Sequence, residues 1–300
     1  MANTQHGRTT TSRHILRREV AGTIGLLADE QDFTAMRRYR SFTFEDHQTY
    51  LRQVEGLLKS LASSGSHTSV ALFDPDEYAD FCAETGIEPD TATSRGRFTA
   101  ELASIGPALP YEGQPLADLV PDLVEAAVRQ ATWTYASSVL ARLGPCAVCH
   151  QDIGRIAFAR ASYLVARVLD TIGEGIHHLV CSASTGREPL QAVLHVDATT
   201  PDTVQLDETT TMELTTVLAL AIATGSACAL VLRTSRTGER DHVFGWQVKE
   251  ESLRQLTAAQ VFDAYCIDAY SGDLLAPEPD VDYCTAPEVN TTGPEGRHRH

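Results

Sequence analysis

The sequence predicts an α+β protein: a mostly helical N-terminal half, then a ββαββα unit whose four strands form an antiparallel sheet with helices on one face. Three observations carry this. Apolar residues recur at helical spacing up to Ile172; from His178 the period changes to two; and the strand-like runs come in pairs around Thr185-Gly186 and Gly238, as hairpins do. At roughly 150 residues per domain, 300 residues suggest two domains. The expected division is a disordered tail at 1–13, a mainly helical domain at 14–145, an α+β domain at 146–275 and an acidic, loop-like tail at 276–300.

Taken in order, helical spacing runs near Ile15–Leu27. Thr43-x-x-Asp46 resembles a capping box opening a helix with Tyr50, Leu51, Val54, Leu57, Leu58 and Leu61 on one face. Thr68–Phe73 reads as a short strand. Asp74-Pro75-Asp76-Glu77 combines an N-cap acid, a proline at the first helical position and acids at the positive helix end. That helix stops at Thr85-Gly86, and another covers Thr93–Ala103. After the Gly106–Pro115 connector comes the longest helical pattern, Val120–Leu143, with Val124, Val128, Ala131, Tyr135 and Val139 as its expected apolar face. A helix from Ile153 to Ile172 follows. Then Leu179–Ser184 and Leu190–Val196 form a hairpin, a helix spans Glu208–Ala223, and Ala229–Thr234 pairs with Val243–Lys249. Thr257-x-x-Gln260 opens a last helix to Cys266.

The net charge of −16 argues against a nucleic-acid partner, whose phosphates a binder must neutralise. Half of it sits between Asp263 and Glu295, a stretch with no Lys or Arg. The uncharged run Leu214–Leu232 approaches the length of a bilayer span, but Thr224-Gly225 divides it into a helix and a strand, so no membrane partner is expected. The polar N-terminus lacks the apolar core of a secretory signal, and seven unevenly spaced Cys do not form a disulfide framework. The expected location is cytoplasmic.

The chemistry-bearing motif is Pro145-Cys146-Ala147-Val148-Cys149-His150. Two thiolates at this spacing supply half of a tetrahedral zinc shell, and the nearest candidates for the other half are His177, His178 and Cys181. A fully extended 177–181 segment would hold His177 and Cys181 about 13 Å apart, so only one of the three completes the shell unless the chain loops there. A four-residue hairpin loop would set His178 opposite His195, with Asp197 nearby.

Two resemblances follow. Cys82-Ala83-Glu84 with Pro145-Cys146-x-x-Cys149 resembles the zinc signature of cytidine deaminases, which implies a three-Cys zinc that activates water while Glu84 moves the proton. Here, however, Cys82-Ala83-Glu84 lies at a helix end rather than a helix start. Val70–Pro75, Phe81–Gly86 and Val261–Cys266 resemble an uncharacterised actinobacterial protein family with no assigned activity, which implies a bacterial cytosolic setting and no chemistry. The expected protein is therefore cytoplasmic and non-enzymatic. It acts through protein contacts or self-association, with a structural zinc; the alternative is a zinc-dependent, deaminase-like hydrolase.

Overall fold

The structure is a computed structural model that describes residues 22–186, 189–200, 203–249, 251–267 and 273–291. The expected tail at 1–13 lies outside them. The chain forms two compact units that meet in sequence at Gln130–Ala131. The α+β class holds, with more strands than the sequence suggests.

Unit 1 contains a three-stranded sheet. Strand β1 (Gly22–Leu26) runs parallel to β2 (Thr68–Leu72), which pairs antiparallel with β3 (Ala108–Pro110). Gly22–Leu26 is thus a strand where a helix is expected. The reason is the ladder with β2, and Gly25 permits it: a Cβ there would come 2.8 Å from Phe73, so the glycine lets β1 pass beneath that ring. Two helices separate β1 and β2, α1 (Glu30–Met36) and α2 (His47–Ser63). Asp46, not Thr43, caps α2, accepting from the Thr49 amide at 2.7 Å. Tyr50 of α2 reaches back to β1, its hydroxyl accepting from the Leu27 amide at 3.1 Å. Helices α3 (Pro75–Thr85) and α4 (Ala92–Ile105) complete the packing; Asp74 caps α3 and Gly86 ends it in the left-handed region at φ 68°, as the sequence predicts. Phe73, Tyr78 and Phe98 interlock in the core, with Phe73 and Phe98 edge to face at 5.0 Å.

Helix α5 (Leu116–Leu143) starts before Val120 and buries a different face from the one expected. Leu116, Leu119 and Leu123 belong to the core of unit 1, while Ala136 and Leu140 belong to that of unit 2. Val124, Val128 and Tyr135 are exposed. One continuous apolar stripe was the wrong pattern for a helix that serves two cores in succession.

Unit 2 is built on a seven-stranded sheet. Strands β4 (Gly175–Ala183), β5 (Leu190–Thr200), β6 (Thr203–Leu206), β7 (Cys228–Ser235) and β8 (Asp241–Lys249) are ordered β8-β7-β4-β5-β6, all antiparallel. Two further strands pair with β8: β9 (Ser252–Gln255) antiparallel and β10 (Val281–Tyr283) parallel. Helices α6 (Ile153–Leu169) and α7 (Glu208–Thr224) cover the inner face. Helix α8 (Ala258–Cys266), opened by the expected Thr257/Gln260 capping box, packs with Val231, Val243 and Val281 on the outer face. Helices therefore lie on both faces, not one. Gly245 permits this, since a Cβ there would meet Leu256 at 3.0 Å and Val261 at 3.2 Å.

The segment after 276 is not a detached tail as far as residue 291. Ala286 and Val289 are buried in the core, and the Trp246 indole donates to the Pro287 carbonyl at 3.1 Å. A short strand and two apolar anchors outweigh its acidic composition. Among the described residues no helix is long and apolar enough to cross a membrane.

Replacing Leu179, fully buried on β4, by Ala should lower unfolding stability by about 2–5 kcal/mol in a urea titration. A second expectation concerns Asp32 at the start of α1. Burial, aided by the charges of Asp29, Asp74 and Asp76, raises its carboxyl from 3.8 to about 6. A folded-state pKa raised in this way means that the folded protein binds the proton more tightly than the unfolded one. Its contribution is favourable at low pH and is lost as pH rises from 3.8 through about 6. Asp32→Asn should therefore raise Tm at pH 7 and change it little below pH 4, as read by thermal melts across pH.

Candidate functional site

Because side chains alternate along a strand, the burial of one face of β4 fixes what its other face presents. His177, Leu179, Cys181 and Ala183 are buried inward, so Ile176, His178, Val180 and Ser182 point outward. The same parity puts Gln191, Val193, His195 and Asp197 of β5 on the outer face. The register pairs His178 with His195 on one side and with Arg233 of β7 on the other, forming one row across three strands. The expected facing of the two histidines is thus present. Their rings lie 4.5 Å apart, edge to face, with Nδ1 to Nδ1 at 3.4 Å.

Charge is organised around this row. The Arg233 guanidinium donates to Asp241 at 2.7 Å and to Glu278 at 2.8 Å. Burial opposes the Asp241 charge, but hydrogen bonds from Ser235 and Arg233 outweigh it and hold that carboxyl low. Burial, then the neighbouring His195 and Arg233 charges, lower the His178 pKa, so this imidazole is neutral at pH 7. Asp197 does not join the pair; its Oδ1 accepts from the Thr199 amide and hydroxyl at 2.9 and 2.6 Å. A neutral imidazole at His178 beside a neutralised cation can act as a ligand or, with His195 against it, as part of a proton relay. Sequence reasoning missed Arg233, Asp241 and Glu278. No motif marks them, since they come from different strands and a distant loop.

Cys146 and Cys149 are not brought to one metal centre with any of His177, His178 and Cys181, the candidates for completing the shell. Cys146 and Cys149 lie in a tight turn between α5 and α6, closed by a Pro145–Asp152 bridge, by the Cys146 amide donating to the Gln151 carbonyl at 2.8 Å, and by His150 at φ 59°. The Val148 amide donates to the Cys146 sulfur at 3.4 Å. His177 is fully buried, with its ring nitrogens bonded to the Thr234 hydroxyl at 2.9 Å and the Gly173 carbonyl at 3.0 Å. Cys181 lies 3.7 Å from the Cys228 sulfur; that neighbouring thiol and burial push its own pKa well up, so it stays a thiol. His178 belongs to the opposite face. Since β4 is extended throughout 175–183, no two of the three can share an ion. Among the described residues no group of three or more His, Cys, Asp or Glu converges on a metal position.

The deaminase-like residues separate similarly. Cys82 is buried on the inward side of α3, whereas Glu84 in its last turn is exposed, so thiol and carboxylate face different surroundings.

Fold and site together define a two-unit α+β protein whose larger sheet leaves part of one face open. Residues 11–114, within unit 1, match a family described as a domain of unknown function (DUF8829), consistent with an uncharacterised family. No curated protein and no solved structure matches the chain.

Proposed function

We propose that this protein works by binding another protein through the outer face of the unit 2 sheet. The carrying observation is the chemistry of that face. An antiparallel sheet with one solvated side ordinarily alternates apolar inward and polar outward. Here Val193 stands outward at 45% exposure, directly paired with half-buried Val180, and Ile176 stands outward at 37% on the other side of His178. Helix α8 packs on β8 and β10 and leaves the β4–β5 half open. Exposed apolar side chains on an open sheet face supply the surface that a protein contact buries. The cysteines, all seven of them free, support a reducing, cytoplasmic setting.

A second reading, a structural zinc held by Cys146 and Cys149, is favoured by the Val148 amide bond to the Cys146 sulfur, because a hydrogen bond to sulfur stabilises the thiolate that zinc needs. The remaining ligands would come from outside the set His177, Cys181 and His178.

A photo-crosslinking residue at Gln191, on the same face as Val193, should capture a discrete protein in the source cells. Val193→Glu should abolish that capture while leaving Tm within a few degrees. Equal capture from a crosslinker at exposed Glu84, or capture indifferent to Val193→Glu, would count against the contact surface. For the second reading, Cys149→Ser should release bound zinc and lower Tm; unchanged metal content and Tm would leave these residues as ordinary thiols.

A further inference from the structure

We infer that His178 and His195 form a two-histidine chelate for a divalent transition-metal ion on the outer face of the sheet. The geometry is the argument. A tetrahedral ion with bonds of about 2.0–2.1 Å to nitrogen sets two ligand nitrogens about 3.3–3.4 Å apart. The two Nδ1 atoms stand at 3.4 Å. Directly paired positions on adjacent antiparallel strands hold the rings there, with β5 and β7 fixing β4 on both sides. To bind, the ring donating the Nδ1 proton carries it on Nε2 instead, and the two rings turn so that both Nδ1 lone pairs point at the ion rather than at each other.

The surroundings permit a cation. Arg233, the positive neighbour in the same row, is neutralised by Asp241 and Glu278. Asp241 is bonded to Arg233 and Asp197 turns its Oδ1 to Thr199, and among the described residues no carboxylate joins the two histidines as a third ligand. With no third protein ligand among the described residues, the other positions of the ion would be taken by water. Such a site suits imidazole-binding ions such as Zn²⁺, Ni²⁺ and Cu²⁺ and not oxygen-seeking Mg²⁺ or Ca²⁺. It is independent of the Cys146–Cys149 turn, which uses different residues and a different ligand type.

The test is isothermal titration of the full chain with Zn²⁺. His298 and His300 are replaced by Ala beforehand, to remove the two imidazoles of the terminal His-Arg-His sequence as competing ligands. This parent should bind one equivalent more than either His178→Gln or His195→Gln, or bind it at least ten-fold more tightly. Any equivalent taken by Cys146 and Cys149 persists in all three proteins and cancels. Unchanged stoichiometry and affinity in both variants, with folding verified by circular dichroism, would overturn the site. Should a variant fail to fold, imidazole nitrogen spectra of the parent decide. Zn²⁺ should shift two ring Nδ1 resonances together, and their indifference to Zn²⁺ would overturn the proposal.

Discussion

The inner face of β4 is the constraint on which unit 2 depends. This strand lies between β5 and β7, and its inward Leu179, Cys181 and Ala183 are removed from water by α6 and α7. Helix α7 can do this because it is apolar over most of its surface, with Leu214, Val217, Leu218, Ala219 and Leu220 all buried. Helix α6 contributes Leu164, Val165 and Val168 along one part of its length and small residues along another. Gly154, Ala157 and Ala161 allow a close crossing, and a Cβ on Gly154 would come 2.8 Å from the Leu140 carbonyl of α5. A one-residue slip of β4 would expose Leu179 and bury His178, so the register carries an energetic penalty for any alternative.

The outer face follows from that inner one. Once Leu179 and Leu194 are buried, His178 and His195 have no choice of side, and their mutual facing is set by the same ladder that sets the core. The polar row His195–His178–Arg233 is continued into the loop before β10 by Glu278, so the acidic C-terminal segment has a structural part to play. Arg160 of α6 extends this tie by donating to the Thr291 carbonyl at 2.9 Å. Glu278 and Asp282 of this stretch balance Arg233 and Arg240, so its acidity does not mark a free tail.

Unit 1 is organised by a different contact. There an aromatic group around Phe73, Tyr78 and Phe98 packs beneath a small sheet, and Gly25 admits Phe73 against β1. The family match lies within this unit, while the open face belongs to the other.

Much of this was legible in the sequence where the signal is local. The Asp74-Pro75 helix start, the Gly86 and Gly225 stops, the Thr257 capping box and the two hairpins each depend on residues a few positions apart, and each stands as read. The alternation of β4 and β5 put His178 and His195 on one face, and a four-residue hairpin loop was the condition for setting them opposite each other, as the ladder does. What the sequence could not determine depended on partners distant along the chain. Gly22–Leu26 has a weak local pattern and becomes a strand only because β2 lies alongside it. The stripe of α5 was misread because two cores claim different faces of one helix. Ala286 and Val289 look like loop residues until the sheet offers them a place to be buried. For the candidate zinc ligands, spacing brought Cys146, Cys149, His177, His178 and Cys181 near in sequence, but tertiary structure decided their surroundings. An extended strand separates neighbours by face and by length, and burial committed His177 to Thr234 and Gly173 and Cys181 to Cys228, because a buried polar group must find its partner where the fold provides one.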